Sequence, residues 1–311
     1  MISVVIPVKD GGEDLVCCLK AIAGQRIDEE VEVVVVDSGS SDGSTERARG
    51  LGARVHEITP QSFNHGATRN LGAELASGHV LVFTTQDAYA ADDQWLATLV
   101  TSLRTNERIA GVYGRQLPHD DATPPERYFL DFLYGPEASV QTISDPTELT
   151  FERTLFSNVN AAIPKAVWSD HRFDDDLIMS EDQAWSRRML LDGWEIAYEP
   201  RAVVRHSHTY TVAGAFRRFF DSGVSAERSY MSAEAQSRAA IRLAARRYAL
   251  GEVAWLWRTG QRRWIPYAAI YEVAKFGGLQ LGVRHHRVPR SLKRHLSALP
   301  AYWDRELDAG S

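Results

Sequence analysis

Two stretches decide the fold of this 311-residue chain, Ser3-Val4-Val5-Ile6-Pro7-Val8 and Val31-Glu32-Val33-Val34-Val35-Val36-Asp37. Both are mostly apolar and β-branched, which is typical of parallel strands buried on both faces. Between them, apolar residues recur at helical spacing: Leu15, Cys18, Leu19 and Ile22. A strand, a helix and a second strand in this order predict an open α/β sheet flanked by helices.

The same alternation continues as far as residue 115. Further strands are predicted at Arg54–Ile58, His79–Asp87 and Ile109–Arg115. Helices are predicted from Ser44 through Ala48, over Thr68–Ala76, and around Trp95, Leu99 and Leu103. Ligands of such mostly parallel sheets bind at the carboxyl ends of the strands, which here are Pro7–Asp10, Asp37–Ser38 and Thr85–Asp87.

The second half of the chain is less regular. Gln116–Phe156 contains repeated prolines and predicts a long functional insertion or lid. Ser180–Leu191 is predicted to be a helix that begins with a capping box of Ser180 and Gln183. From Val212 onward the sequence is helix-rich and inclined towards Arg and Ala.

The composition excludes several protein classes. With 44% hydrophobic residues and a net charge of −6, the chain is not expected to be disordered. Its two cysteines, Cys17 and Cys18, are adjacent and cannot cross-link distant segments, which favours a reducing cytoplasmic compartment. No signal peptide is predicted. Trp264–Val283 is interrupted by Pro266, charged residues and a glycine pair, so it predicts a soluble helix with a break.

Charge is distributed unevenly along the chain. From Thr211 to the end the net charge is +9, and before that point it is −15. The acidic body would repel nucleic acid, so we expect no nucleic-acid partner. A basic C-terminal region instead favours peripheral contact with an anionic membrane or a lipid-linked phosphate. A helical region that only completes the fold is an equally open interpretation.

Acidic and imidazole groups follow the predicted strands. The glycine motifs of dinucleotide-binding and P-loop proteins are absent after the first strand. Asp37 and Asp87 instead end two strands, Asp182 lies in the first turn of a helix, and His206 and His208 follow a strand-like segment. Carboxylates with imidazoles suit a divalent cation that carries a diphosphate. Each residue alone could be a helix cap or a surface group.

Several motifs, in order, resemble the family 2 glycosyltransferases of the GT-A fold and their bacterial rhamnosyltransferase branch. They are Ser3–Pro7, Val33–Ser44, Phe63–Asn70, Thr85–Ala88, Tyr113–Pro118, Phe156–Val159, Glu181-Asp182 and His206–His208. The resemblance covers roughly residues 1–225. It implies a glycosyltransferase domain over 1–211, with a nucleotide-sugar half to about 115 and an acceptor half from about 116, before a basic region at 212–311.

The resemblance also implies a donor site. Asp37 would accept a hydrogen bond from a pyrimidine N–H, and Arg69 would lie near the diphosphate. Two alternatives stay open, in which Asp37 caps the next helix and Arg69 pairs with a surface acid. The residues implied in donor binding are Pro7, Val8, Lys9, Asp10, Asp37, Ser38, His65, Arg69, Asn70 and Gln86.

The metal-binding motif departs from the family pattern. Many relatives have Asp-x-Asp where this chain reads Thr84-Thr85-Gln86-Asp87, which leaves one strong ligand. His206 partly compensates, because some relatives have an imidazole ligand about two dozen residues after the catalytic acid. We therefore expect Asp87, His206 and the donor diphosphate to bind Mg²⁺ or Mn²⁺. His208 would support the site or belong only to the turn.

Asp182 is the expected general base, since an attacking acceptor hydroxyl must lose its proton. The helix N-terminus would keep Asp182 ionised, and Glu181 would oppose this. An acidic helix start without catalytic function is the alternative. Residues expected near the acceptor, or in support of the base, are Glu181, Trp185, Asn158 and His208.

The predicted reaction is single addition of a sugar, with inversion and with metal assistance. The resemblance implies transfer of L-rhamnose from dTDP-L-rhamnose to a cell-surface glycan or lipid-linked saccharide. A UDP-hexose donor, a non-catalytic nucleotide-sugar-binding protein, and nucleotidyl transfer are the alternatives. Gln261-Arg262-Arg263-Trp264 is one residue short of the Gln-x-x-Arg-Trp motif of processive synthases, and we interpret it as coincidence.

Overall fold

The computed structural model describes the backbone of residues 1–231 and 238–308 and the side chains of 1–231 and 243–304. The described strands are β1 (Ile2–Val8), β2 (Val31–Asp37), β3 (Arg54–Glu57), β4 (Val80–Thr84), β5 (Tyr89–Ala90), β6 (Ile109–Leu117), β7 (Ser139–Gln141), β8 (Asn160–Pro164) and β9 (Glu195–Arg205). The described helices are α1 (Gly12–Ala23), α2 (Ser44–Gly50), α3 (His65–Leu75), α4 (Trp95–Leu103), α5 (Pro124–Leu133), α6 (Lys165–Asp170), α7 (Glu181–Leu191), α8 (Val212–Ser229), α9 (Arg238–Arg258), α10 (Ile265–Gly282), α11 (Arg290–Leu296) and α12 (Pro300–Asp308).

One sheet organises the molecule, in the order β3-β2-β1-β4-β8-β6-β9-β5, with β7 paired to β9. The first four strands in this order are parallel, which confirms the predicted α/β architecture. β8 then runs antiparallel to both β4 and β6, so the rest of the sheet is mixed. The carboxyl ends of β1, β2, β4 and β9 supply the residues of the candidate site.

The first strand is buried on both faces, as its continuous apolar sequence predicts. Val4 and Ile6 pack into one hydrophobic cluster with α1 and α4. Val5 points the other way, into a second cluster that includes Phe83 and Trp185. Successive side chains of a strand alternate between faces, so a strand between two helical layers has to be apolar at nearly every position.

Two predicted boundaries move in the structure, and both changes affect the site. The strand predicted to reach Asp87 ends at Thr84, because residues 85–88 form a turn in which Ala88 N–H donates to the carbonyl of Thr85 at 3.1 Å. The helix predicted from Thr68 begins at His65. Its cap is Asn64, whose side chain accepts hydrogen bonds from the N–H groups of Gly66 and Ala67.

The predicted capping box at Ser180 is wrong. The side chain of Ser180 makes no cap hydrogen bond, and its backbone is left-handed, with φ of 61°. Apart from glycine, only Asp10 shares this conformation among the described residues, with φ of 46°. A left-handed non-glycine residue costs about 1–3 kcal/mol, and such strain concentrates at functional sites. Here the two residues flank the candidate base and the end of β1.

The region predicted as an irregular insertion has regular structure of its own. Gln116–Phe156 contains the end of β6, helix α5 and the short strand β7. Directly after it comes β8, which the sequence analysis did not predict. β8 reads Asn160-Ala161-Ala162-Ile163-Pro164, and its small residues give a weak periodic signal.

The C-terminal region is helical, as predicted, but the expected break in the segment from Trp264 is wrong. A short 3₁₀ turn at Arg262–Trp264 leads into α10, which continues through Gly277 and Gly278. Gly278 allows α8 to approach, since a Cβ there would lie 2.2 Å from the carbonyl oxygen of Phe216. None of the described helices has the length and apolar character needed to cross a bilayer. The domain division at residue 211 stays a prediction.

Candidate active site

The ends of β1 and β4 are tied together by two predicted donor-site residues. Gln86 accepts a hydrogen bond from the backbone N–H of Lys9 at 2.8 Å and donates one to its carbonyl at 3.1 Å. Asp10 accepts a hydrogen bond from the N–H of Ser41 at 2.8 Å, which brings in the loop after β2. The side-chain amine of Lys9 contacts the carbonyl of Gly39 in the same loop. These contacts form a polar edge over Pro7 and Val8.

Asp37 has one carboxylate oxygen in use and one free. Oδ1 accepts hydrogen bonds from the N–H groups of Gly39 and Ser40, at 2.9 and 2.8 Å. Oδ2 is buried without a partner among the described residues. Ser38 is engaged elsewhere, since its hydroxyl donates to the carbonyl of Val8 at 2.9 Å. A buried acceptor is costly to leave unpaired, and Oδ2 is free to accept a hydrogen bond from a ligand. Capping of the loop explains only Oδ1.

Asp87, His206 and His208 form a cluster with ligand atoms within 4.8 Å of one another. The carboxylate of Asp87 lies 3.8 Å from His206 Nε2 and 3.6 Å from His208 Nδ1. The two Nε2 atoms are 3.1 Å apart. One carboxylate and two imidazoles can together bind a divalent cation. The structure thus makes His208 a candidate metal ligand alongside His206, whereas the sequence favoured only His206 as a ligand.

Gln116 orients His206 from the second side of the ring. Its Oε1 pairs with His206 Nδ1 at 2.9 Å, while its Nε2 donates to the hydroxyls of Tyr134 and Ser157 at 2.7 and 3.0 Å. With Oε1 of Gln116 as the acceptor, the proton lies on Nδ1, and Nε2 is left unprotonated beside His208 and Asp87. Burial, with help from nearby His208, lowers the pKa of His206 to about 3. The imidazole is therefore neutral, as a metal ligand must be.

Asp182 lies at the start of α7 with its carboxylate held by backbone groups. Oδ2 accepts a hydrogen bond from the N–H of Asn158 at 3.1 Å, and Oδ1 accepts one from Gln183 at 2.8 Å. Burial and the neighbouring Glu181 nevertheless raise the pKa of Asp182 to about 7. The backbone N–H groups favour the ionised form, as predicted for a helix N-terminus, and the predicted opposition by Glu181 acts in the same direction as burial. A carboxylate whose pKa is close to neutral pH is suited to take a proton.

Glu181 differs sharply from its neighbour. It forms a 3.1 Å ion pair with Arg69, and both side chains are about 95% buried. Burial opposes ionisation, but Arg69 and the amide of Asn158 together hold the pKa of Glu181 below its usual value. Arg69 thus pairs with a buried acid that is adjacent to the candidate general base, Asp182. Its predicted contact with the diphosphate stays a prediction. Burial lowers the pKa of His65 to about 4, so this imidazole is neutral.

A short chain of contacts joins the candidate base to the metal cluster. Asp182 bonds to Asn158, whose neighbour Ser157 bonds to Gln116. Gln116 in turn holds His206. The carboxylate at the start of α7 is therefore linked to the cluster in the loops after β4 and β9.

Two residues predicted for the site have structural roles instead. Asn70 is 9% exposed, and its amide pairs with the backbone of Phe173 and with the indole N–H of Trp168. Trp185 is fully buried in the core, and its indole N–H donates to the carbonyl of His171 at 2.6 Å. Both side chains stabilise the layer behind the site. The prediction that Asn70 contacts the donor and Trp185 the acceptor is therefore corrected. Asn158, by contrast, contacts both Glu181 and Asp182 as a supporting residue.

The sequence analysis did not single out two residues that the structure places near the site, Gln116 and Arg218. Gln116 lies within a quoted motif, but only the fold brings it to His206. Arg218 projects from α8, and its charge is close enough to disfavour protonation of His65, His206 and His208. No carboxylate among the described side chains lies within salt-bridge distance of it. The adjacent pair Arg217-Arg218 at the start of the basic region was the available signal.

A cavity of about 540 Å³ lies between the loop before α5 and the turn between α9 and α10. Its walls include Arg127, Trp255, Arg263 and Trp264. Glu126, which precedes Arg127 on α5, has a hydrogen bond to the backbone of His208. Gln261, Arg263 and Trp264, from the segment that resembles the processive-synthase motif, line this cavity.

Solved structures with this architecture define the class of fold. A mannosyltransferase from Pyrobaculum calidifontis, in complex with GDP-Man and Mn²⁺, aligns with a TM-score of 0.56 at 16% identity, over 99% of this chain and 79% of that one. Residues 1–349 of S. aureus TarS in complex with UDP align with a TM-score of 0.51 at 15% identity, over 92% and 91% of the two chains. The fold is of the GT-A class.

Sequence relatives define the family. The model described as "Glycosyl transferase family 2" matches residues 3–167. The O-antigen chain rhamnosyltransferase RfbN of Salmonella typhimurium is 33% identical over 97% of this chain and 96% of its own length. WbaN of Salmonella anatum, also an O-antigen chain rhamnosyltransferase, is 32% identical over 88% and 86%. The chain belongs to glycosyltransferase family 2, and its predicted resemblance to the rhamnosyltransferase branch is confirmed.

Proposed function

We propose that this glycosyltransferase inverts the anomeric centre and moves L-rhamnose from dTDP-L-rhamnose to a hydroxyl of a cell-surface glycan or lipid-linked saccharide, one sugar at a time. The connection of Asp182, through Asn158, Ser157 and Gln116, to the Asp87/His206/His208 cluster carries this proposal. The rhamnosyltransferase relatives support the choice of donor sugar.

The donor would lie across the carboxyl ends of β1, β2 and β4. Its pyrimidine N–H would meet Oδ2 of Asp37, beside Lys9 and the turn at Asp10. Asp87, His206 and His208 would bind Mg²⁺ or Mn²⁺, whose charge offsets that of the departing nucleoside diphosphate. Arg218 would add a fixed cation on the same side.

Asp182 would act as the base. The acceptor oxygen forms its bond to the anomeric carbon while the bond from that carbon to the diphosphate oxygen breaks, and the diphosphate keeps the electron pair. The hydroxyl proton passes to the carboxylate of Asp182. One displacement without a covalent intermediate inverts the configuration. The supporting observation is the pKa of Asp182, which burial and Glu181 raise to about 7.

The acceptor would approach from the side of the 540 Å³ cavity. Two indoles and two guanidinium groups in its wall suit a saccharide that carries a phosphate. A lipid-linked acceptor would place the enzyme at the cytoplasmic face of the cell membrane. The basic charge of the C-terminal region supports such peripheral contact.

A thermal-shift panel of dTDP-rhamnose, UDP-glucose, UDP-galactose and GDP-mannose, each with and without Mn²⁺, tests the donor. A ligand that binds only the native state raises the melting temperature. We expect a metal-dependent shift selective for dTDP-rhamnose. Selectivity for a UDP-sugar would overturn the donor, and no shift with any sugar nucleotide would favour a non-catalytic protein. Release of pyrophosphate instead of a nucleoside diphosphate would indicate nucleotidyl transfer.

A further inference from the structure

Helix α10 has its charges inside and its apolar residues outside. Lys275 is only 6% exposed and pairs with Glu272 at 2.8 Å. Its ammonium lies 4.6–5.6 Å from the ring centres of four aromatic side chains, Phe129, Phe219, Tyr248 and Tyr271. The exposed positions of α10 are all apolar: Pro266, Ala269, Ile270, Val273 and Phe276. A surface helix ordinarily has the opposite polarity.

Helix α9, which contacts α10, also buries an acid and exposes large apolar residues. Glu252 is 1% exposed, whereas Leu243, Leu250 and Trp257 are each more than half exposed. These three residues are seven positions apart, two helical turns, so they form one stripe. Val253 is exposed on the same helix. We call these apolar residues the docking face, which comprises Leu243, Leu250, Val253 and Trp257 of α9 and Ile270, Val273 and Phe276 of α10.

Arginines lie within and beside the docking face. Arg246, Arg247 and Arg258 are exposed on α9, among its apolar positions. In the turn between the two helices, Arg262 lies over the ring of Trp257, 3.8 Å from its centre. No described carboxylate lies within 4 Å of Arg246, Arg247 or Arg262, so nothing described there neutralises these charges.

We propose that the docking face binds the interface of an anionic lipid bilayer, with the apolar stripe inserted and the arginines at the phosphate level. An exposed apolar helical face with arginine beside it and an aromatic residue at one end has the pattern of an interfacial helix. The charge favours lipid over a second copy, because two identical faces would bring like charges together. The inference goes beyond the proposed function by naming an insertion surface, where charge alone predicted only electrostatic contact.

Vesicle co-sedimentation of the full chain tests this proposal without any assay of turnover. Wild-type protein should bind phosphatidylglycerol–phosphatidylcholine vesicles and should bind phosphatidylcholine vesicles less. The double variant Ile270→Glu/Val273→Glu should reduce binding about tenfold or more, because two apolar side chains no longer leave water. Val140→Glu is the matched control, since Val140 is 54% exposed on β7, and it should bind as wild type does.

Melting temperatures, a charge-reversal variant and sedimentation velocity complete the test. All variants should keep the wild-type melting temperature, since the substituted side chains are exposed. Arg246→Glu/Arg247→Glu should remove the preference for anionic vesicles. Wild-type protein that ignores vesicles, or a double variant that binds them unchanged, would overturn the proposal. So would sedimentation velocity showing a wild-type dimer that dissociates in the double variant, since a second copy would then be the occupant.

Discussion

The backbone N–H of Asn158 lies 3.1 Å from Oδ2 of Asp182, and the side-chain amide of the same asparagine donates to Glu181. One residue therefore donates hydrogen bonds to two adjacent carboxylates, and the difference between their pKa values comes from other groups. Arg69 and its surroundings keep Glu181 ionised, whereas burial and Glu181 raise the pKa of Asp182. Neighbouring acids whose pKa values are driven apart divide into a fixed charge and a proton acceptor. This division is the basis of the first two predictions.

Replacing Asp182→Asn should lower kcat by about a hundredfold or more, because the amide cannot take the acceptor proton. Donor binding should survive, since Asp182 is predicted to contact the acceptor. Steady-state kinetics and a thermal shift with the donor measure the two effects. Asp192→Asn, at the other end of α7, is the control and should behave as wild type does. Unchanged turnover in Asp182→Asn would refute the base assignment.

The pH profile should show one acidic limb. The base works only when ionised, so kcat/KM should fall about tenfold per pH unit as the pH drops below about 7, the raised pKa of Asp182. Glu181→Gln removes the like charge beside Asp182 and leaves the Arg69 cation uncompensated, so the limb should move to lower pH. A limb that stays in place would mean that another group controls it.

Chelation with EDTA should abolish activity, and Mn²⁺ or Mg²⁺ should restore it. In calorimetric titrations, Gln116→Ala should lower the affinity for Mn²⁺ about 10–100-fold, because His206 loses its orienting partner. His208→Ala should lower that affinity at least as much. The control is His56→Ala, at an exposed position on β3. Unchanged Mn²⁺ affinity in His208→Ala would remove that residue from the ligand set.

The variant Asp37→Asn should weaken donor binding about tenfold, because the unpaired Oδ2 is the acceptor that we propose for the base N–H. Competition binding with dTDP measures this loss without turnover. Asp28→Asn makes the same change at an exposed position and should leave dTDP affinity unaltered. Equal affinity in the two variants would show that the nucleotide base does not bind Asp37.

Adjacent glycines of α10 should respond in opposite ways to alanine. At Gly278 a Cβ would lie 2.2 Å from the carbonyl oxygen of Phe216, so Gly278→Ala should cost at least about 1–3 kcal/mol as α8 is pushed away. At Gly277 the nearest atom is 3.8 Å away, and Gly277→Ala should stabilise the helix by up to about 1 kcal/mol. Chemical denaturation compares them. Equal losses would contradict the close crossing of α8 and α10.

The sequence by itself determined the parallel strands β1 and β2, the candidate acids Asp87 and Asp182, and the family. Strands buried on both faces must be apolar at nearly every position, so their pattern is visible locally. Polar residues directly after such strands stand out for the same reason. Several motifs in the same order as in the family then identified the family, which no single residue could do.

Only the tertiary structure decided how distant residues meet. β8 is inserted antiparallel between β4 and β6, and its small residues make its periodic signal weak. Gln116 reaches His206, Glu181 finds Arg69, and Trp185 turns into the core. Periodicity encodes whether a side chain is buried, but strand order and helix packing determine what it touches. The pKa values of Glu181 and Asp182 depend on those partners, so adjacent acids in the sequence acquire different chemistry only in the fold.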